Sequence, residues 1–275
     1  MHIQIQDRVL IKVSGGDAES FLQAQLTNDI TLLEKNTVQL NAYCQHQGKV
    51  ISLFWVMRSD DEFLLSFPVD LAEKVISRLR MFIIISDVLI EDISEHYVQI
   101  GLINEVNPNA YIINESLSLL IVSSGNTDKK INSNDEAWIK ASIESQIPEV
   151  FLSSSEKFVP QMLNLDINEI GVNFSKGCYP GQEVVARLHY LGEAKRRLFT
   201  FKSEYEMQVG DSLYCASSKT AKARGNRYKG SGIVVNSVKF NSSFYCLATL
   251  DIDLLDSEIT LNNQHGPILE KIKNE

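Results

Sequence analysis

Gly171 to Arg187 read GVNFSKGCYPGQEVVAR, and within that stretch the eight residues from Lys176 to Glu183 set an amine, a thiol, a phenol and a carboxylate around two glycines. Glycine permits positive φ and close backbone approach to a ligand. Proline fixes φ and is tolerated in a helix's first turn. The stretch therefore predicts a tight loop that enters a helix at about Pro180, with Glu183 and Arg187 at i,i+4 on one face. The N–H groups at such a helix start suit an anionic group, including a thiolate at Cys178, and Lys176 is expected to favour that thiolate further. Each residue alone has a plainer reading: Cys178 as a small buried side chain, Tyr179 as a core aromatic, Glu183 with Arg187 as a surface ion pair. Their concentration in one loop favours chemistry over packing.

The surrounding chain is that of a globular protein. Its 275 residues are 44% hydrophobic and 22% charged, enough for one large or two to three small domains with their own cores. A net charge of −9 excludes a general nucleic-acid coat, which needs excess positive charge. A basic island remains between Lys195 and Lys229, where nine Lys or Arg face three acidic residues. It reads equally as a solvated loop or as an RNA or protein contact. The four cysteines, Cys44, Cys178, Cys215 and Cys246, form no Cys-x-x-Cys pair, which fits a reducing cytoplasm and offers no local zinc or cluster motif. The five histidines show no metal spacing beyond Cys44 and His46 two apart, so no metal site is expected. The N-terminus has no basic region followed by an apolar stretch, and the longest apolar runs fall far short of the ~20 residues of a membrane helix. A soluble, cytoplasmic protein is expected.

Hydrophobic periodicity places the elements. MHIQIQDRVLIKV alternates like a strand, Ser14 to Asp17 break it, and Asp17 is offered as a cap for a helix carrying Ala18, Phe21, Leu22 and Gln25. Tyr43 to Met57 read as one or two strands around a turn at Gln47 and Gly48, and Leu71, Val75, Ile76 and Leu79 as an amphipathic helix ending near Phe82. Strands follow at Val88 to Ile90, Val98 to Ile103 and Leu117 to Val122, then a helix from Trp138 that Pro148 stops. After Gly192 short apolar runs separated by turns suggest a small antiparallel barrel or sandwich.

FVPQMLNL (Phe158 to Leu165) and the Gly171 to Arg187 stretch, with FLQAQLTNDI (Phe21 to Ile30), CQHQGKV (Cys44 to Val50) and the helix Trp138 to Pro148, resemble the YgfZ-type folate-binding proteins, relatives of the glycine-cleavage T-protein. The resemblance implies an α+β fold in which two interleaved α+β subdomains, residues 1–194, form a ring-like body followed by a C-terminal antiparallel β-barrel, residues 195–275. It implies tetrahydrofolate or a derivative in a central opening. It also implies a role in maintaining iron–sulfur proteins, including enzymes that methylthiolate transfer RNA. Expected partners are folate and iron–sulfur assembly proteins or cluster enzymes. Direct transfer-RNA contact through Lys195 to Lys229 is not expected, and a monomer is.

Residue by residue, the resemblance makes Cys178 the working thiol with Lys176 beside it, and assigns Trp138, Glu144, Tyr179, Gln182, Glu183, Arg187 and Arg8 to the folate. Trp138 matches one of two family tryptophans and would stack on the pterin. Glu144 falls where the T-protein sets a carboxylate against pterin N–H groups. The second tryptophan falls on Arg8, so that stacking is either lost, or replaced by the guanidinium plane or by a contact to the folate glutamate tail. In GKVISLFWV, Gly48 to Val56, Ser52 and Leu53 stand where the T-protein has two aspartates. Neither ionises at neutral pH, so the glycine-cleavage reaction is not expected. An accessory folate-binding factor is the leading expectation, and a one-carbon transferase with rearranged catalytic groups is the alternative.

Overall fold

A computed structural model describes residues 1–126, 131–218 and 230–272. The chain begins with strands His2–Gln4 (β1) and Arg8–Ser14 (β2), helix Ala18–Gln25 (α1), and strands Gln39–Cys44 (β3), Val50–Ser59 (β4) and Glu62–Pro68 (β5). Helix Ala72–Met81 (α2) and strands Leu89–Asp92 (β6), Tyr97–Ile103 (β7), Tyr111–Ile112 (β8) and Leu117–Ser123 (β9) follow, then helices Glu136–Glu144 (α3) and Gln182–Leu191 (α4). Strands Arg196–Ser203 (β10), Ser212–Tyr214 (β11), Gly232–Phe240 (β12), Ser243–Asp251 (β13), Thr260–Leu261 (β14) and Glu270–Ile272 (β15) complete the described chain. No helix among the described residues is long and apolar enough to cross a membrane.

These strands make three sheets, ordered β3-β4-β5-β2-β6, β1-β7-β9-β8 and β14-β11-β12-β13-β10-β15. The first is antiparallel throughout, and one of its faces packs α1 and α2 through Phe21, Leu22, Val75 and Leu79 onto Val9, Ile11, Phe54 and Leu65. On its other face Leu10, Trp55 and Met57 meet Leu117 and Leu119 of the second sheet and Trp138 of α3. A further core joins Val50 and Leu53 to Ile143, Val172 and Val185, and these to Leu198, Val235 and Leu247 of the third sheet. β4 is thus buried along Val50 to Met57, serving three cores at once.

Four local expectations are revised. The N-terminal alternation is broken at Asp7, whose φ of 54° turns the chain, so β1 joins the second sheet and β2 the first. Asp17 precedes α1 but its carboxylate accepts the Asp87 N–H at 2.8 Å instead of capping the helix, while Asp87 accepts the Gly16 N–H at 2.9 Å. α3 ends at Glu144, not at Pro148, because Gln146 adopts a φ of 56° and leaves the helix first. The helix expected at Pro180 begins at Gln182, since Pro180 and Gly181 form the turn ahead of it and Gly181 has a φ of 84°.

Candidate functional site

The loop Lys176 to Gly181 is held by two long-range attachments. Lys176 is buried, and its three N–H bonds reach the carbonyls of Gln23 at 2.8 Å, Leu26 at 2.6 Å and Asn28 at 2.8 Å. An ammonium has three donors, so all are committed to the carbonyls that follow and close α1, none to Cys178. Burial pushes its pKa down to about 8, against the pull of nearby Asp29. The same corner is stitched by Thr27 Oγ1 donating to Gly171 O at 2.6 Å and by the Asn173 N–H donating to Thr27 O at 3.0 Å. FLQAQLTNDI and the Gly171 to Arg187 stretch are therefore two halves of one joint.

Gly181 makes the second attachment. A Cβ there would lie 2.5 Å from Gln45 O and 2.7 Å from the N and Cα of Gly48, which itself has a φ of 73° in the β3–β4 turn. Gly177, by contrast, has no positive φ and nothing within 4 Å of an added Cβ, so only one of the two glycines is required by close approach. Tyr179 is buried with its ring centroid 5.5 Å from Lys176 Nζ, and burial raises its phenol pKa, with Cys44 adding to the effect. Gln182 Nε2 reaches back to Gly177 O at 3.5 Å. Glu183 and Arg187 are exposed and form no ion pair with each other. Much of the density of this motif is accounted for by packing.

What remains for chemistry is Cys178. It is the exposed thiol; Cys44, Cys215 and Cys246 are buried, and burial pushes Cys44 up to about 12 and raises Cys246 as well. Among the described residues no cluster of three or more His, Cys, Asp or Glu is placed to hold a metal ion.

A second centre lies elsewhere on β4. Both tryptophans of the chain line one cavity of about 100 Å³, with Arg8, Asp135, Ser142, Glu149 and Asn236. The Trp55 and Trp138 rings meet edge to face, centroids 6.0 Å apart at 71°, and Trp138 lies directly on Gly101, where a Cβ would be 2.2 Å from its Cε3. The Arg8 guanidinium stacks on Trp55 with Cζ 3.8 Å from the ring centroid. Its Nε and Nη2 donate to Ser66 Oγ and Ser66 O at 2.8 and 2.7 Å, and Nη1 pairs with Glu149. Burial lowers its pKa to about 9, still charged at neutral pH. Asp135, at the start of α3, has its pKa raised by burial, with Asp7 and Glu136 contributing.

Of the residues expected to meet folate, the structure brings Arg8 and Trp138 to this cavity. Tyr179, Gln182, Glu183 and Arg187 do not line it, and neither does Cys178. From Val50, beside the loop, to Trp55 is about 17 Å along an extended strand. Glu144 is also outside: it is 51% exposed and pairs with Lys140 at 2.5 Å. Six residues after Trp138 on a helix, it points about 120° away from that ring. The carboxylates that do line the cavity are Asp7, Asp135 and Glu149. Sequence reading missed these and Trp55, which in a continuous apolar strand looks like core; Pro148 before Glu149 was the available signal of a bend.

Ser52 and Leu53 are buried in β4, with Leu53 in an apolar core. Of the basic island, Arg196 pairs with Asp251 at 2.6 Å and Arg197 with Asp166 at 2.5 Å. Lys219, Lys222, Arg224, Arg227 and Lys229 lie outside the described residues. A larger cavity, about 1120 Å³, is lined by Tyr190 to Lys195, Ser217, Ser218 and Asp251 to Leu254 and contains neither tryptophan nor Cys178.

The donor set of the small cavity fits a flat heterocycle rich in N–H groups: aromatic walls and carboxylate acceptors. Its volume is below the ~300 Å³ at which small-molecule pockets begin. Entry of such a ring requires a side chain to move, and Glu149, 27% exposed against 4% for Arg8, is the less anchored of the pair that fills the space.

No family model matches the chain. A Haemophilus influenzae protein without a described function is 30% identical over 96% of this chain and 97% of its own length. The tRNA-modifying protein YgfZ of Colwellia psychrerythraea is 31% identical over 74% of this chain and 72% of its own, and that of Photorhabdus laumondii 26% identical over 87% and 80%. Among solved structures, the glycine cleavage system aminomethyltransferase T from Bartonella henselae superposes with a TM-score of 0.71 over 98% of this chain and 84% of its own, at 13% identity. That likeness carries the fold alone.

Proposed function

The chain belongs to the YgfZ family, and from that premise we propose that it binds tetrahydrofolate or a derivative at the Trp55–Trp138 cavity and supports transfer-RNA modification. In this reading it acts as an accessory factor for iron–sulfur enzymes, with Cys178 as the working thiol. The two N-terminal sheets form a ring-like body around the cavity, and the six-stranded sheet closes as a barrel. The observation that carries the folate reading is that both tryptophans, a stacked guanidinium and three carboxylates converge on one cavity.

When bound, folate would supply a pterin ring and its capacity to hold a one-carbon unit. The protein's part is to hold it. Trp138, braced by Gly101, offers a ring wall; Glu149 and Asp135 accept N–H bonds; Arg8, fixed to Ser66, presents a cation once Glu149 has left it. Cys178 stands apart from this site on an exposed loop, where a partner protein can reach it. One thiol cannot hold a cluster alone, so its chemistry is completed by that partner.

The test is a tetrahydrofolate titration followed by tryptophan fluorescence and calorimetry in wild type, Trp138→Ala and Trp55→Ala. Because the chain has two tryptophans and both line the cavity, binding must change the emission. Absence of heat and of any emission change in the wild type would reject the reading. For the thiol, loss of cluster-enzyme activity in cells carrying Cys178→Ala is expected, and full activity there removes Cys178 from the mechanism.

One observation favours the alternative of a one-carbon transferase. Asp135, its proton affinity raised by burial, lines the same cavity and could handle protons where Ser52 and Leu53 cannot. Formation of a one-carbon folate product, abolished by Asp135→Asn, would establish it.

A further inference from the structure

The cavity has one wall residue from the third sheet, Asn236 in β12. The residue is 4% exposed and its Oδ1 has no hydrogen-bond partner. A buried amide oxygen left unpaired is destabilising, so its persistence at a cavity calls for an explanation.

The backbone places it there by a specific device. Along β12, Val234 pairs with Ala248 and Asn236 with Leu247, so Val235 is an extra, bulged residue. Without the bulge, Asn236 would share the face of Val234, which packs in the core of the third sheet. With it, Asn236 shares the face of Leu247, which looks towards the core shared with Ile143 of α3. β-Bulges recur where a side chain is re-aimed towards a site.

Several donors around it are already committed. Arg8 directs its N–H groups to Ser66 and Glu149, Ser142 Oγ donates to Trp138 O at 3.0 Å, and Gln6 Nε2 donates to Ser133 O at 2.7 Å. Facing them are the acceptors Asp135, Glu149 and Asn236 Oδ1. An acceptor wall is complementary to a ring edge that presents successive N–H donors, such as the amino-amide edge of an aminopyrimidine.

We propose that Asn236 is a specificity-determining residue whose Oδ1 accepts an N–H bond from the 2-amino group of the bound heterocycle, joining the ligand to the third sheet. This rests on the folate reading given above. A ligand lacking that amino group leaves Oδ1 as it is, unpaired.

The test is calorimetry on the full chain with tetrahydrofolate and with its analogue carrying methyl in place of the 2-amino group, for wild type and Asn236→Leu. Asn236→Leu keeps the branching and removes the unpaired oxygen. It is expected to weaken tetrahydrofolate about tenfold, the scale of one hydrogen bond. The analogue should change less than about twofold, and Tm should not fall. Equal weakening of both ligands would make Asn236 a packing residue, and no weakening of either would assign Oδ1 to water; both overturn the proposal. Should the Leu variant fail to fold, Asn236→Ala is read by the same two-ligand comparison. If the wild type binds neither ligand, the folate reading itself fails and this proposal falls with it; when the wild type binds tetrahydrofolate, the two-ligand comparison bears on Asn236 alone.

Discussion

The Arg8 guanidinium lies on the Trp55 ring at 3.8 Å and is held there by Ser66 and Glu149. Breaking a buried ion pair from one side typically costs about 3–5 kcal/mol. Arg8→Ala, which also strips two hydrogen bonds from Ser66, should therefore lower unfolding free energy in urea by about 3 kcal/mol. The Lys140–Glu144 pair, whose carboxylate is 51% exposed, is the internal standard, because Glu144→Ala should cost only about 0.5 kcal/mol. Equal losses for the two variants would mean that the Arg8 pair is not desolvated.

Gly101 in β7 is matched to Trp138, whose ring occupies the space a Cβ would need. Gly101→Ala must push the indole towards the cavity, at the ~1–3 kcal/mol usual for overpacking. Tryptophan emission should shift in the native state, and tetrahydrofolate affinity should drop. An unchanged spectrum with unchanged stability would contradict the close contact.

Asp29 offers a pH test at the joint between the two motifs. Burial alone would raise its pKa, but hydrogen bonds from Thr31 and Gln23 and the charge of Lys176 outweigh that, and the net shift is downward from 3.8. A carboxylate whose folded pKa is depressed contributes stability above its unfolded pKa and loses it as pH falls through the folded value. The stability difference between wild type and Asp29→Asn should thus be constant above about pH 5 and shrink below pH 3.8. Urea midpoints for the pair from pH 2.5 to 7 provide the check, and a difference that grows on acidification would reverse the assignment.

Local chemistry made the elements legible and left the site only partly so. β2, α2 and the short strands after Gly192 follow from periodicity, because alternation and helical spacing are properties of neighbours in sequence. The roles of Lys176 and Gly181 were not legible in the same way. Their reasons are Gln23, Leu26 and Asn28 in one case and Gln45 with Gly48 in the other, residues that only the fold brings close. Glu144 faces away from the Trp138 cavity, and the carboxylate that lines it is Glu149, beyond the helix end, whose position depends on the turn at Gln146 and not on helical spacing. Asn236 could not have been singled out, since its orientation depends on a bulge whose extra residue, Val235, looks like any strand valine.

The two glycines of KGCYPGQE separate packing from chemistry. Gly181 needs its φ of 84° and its missing Cβ, since a methyl group would sit 2.5 Å from Gln45 O. Left-handed backbone disfavours any L side chain by about 1 kcal/mol, and the collision with backbone atoms cannot be relieved by a rotamer change. Gly181→Ala should cost about 2–4 kcal/mol and loosen the contact between the Cys178 loop and the β3–β4 turn. Gly177 carries neither constraint, so Gly177→Ala should change stability by less than about 0.5 kcal/mol. Alkylation of native protein reads the consequence for the thiol. Wild type should label at Cys178 alone, because the other three cysteines are buried; Gly177→Ala should do the same. In Gly181→Ala, the buried Cys44 at the end of β3, adjoining the turn that Gly181 contacts, should begin to label as well. Destabilisation by Gly177→Ala as large as that by Gly181→Ala would show that the loop is held by something other than the Gly181–Gly48 contact.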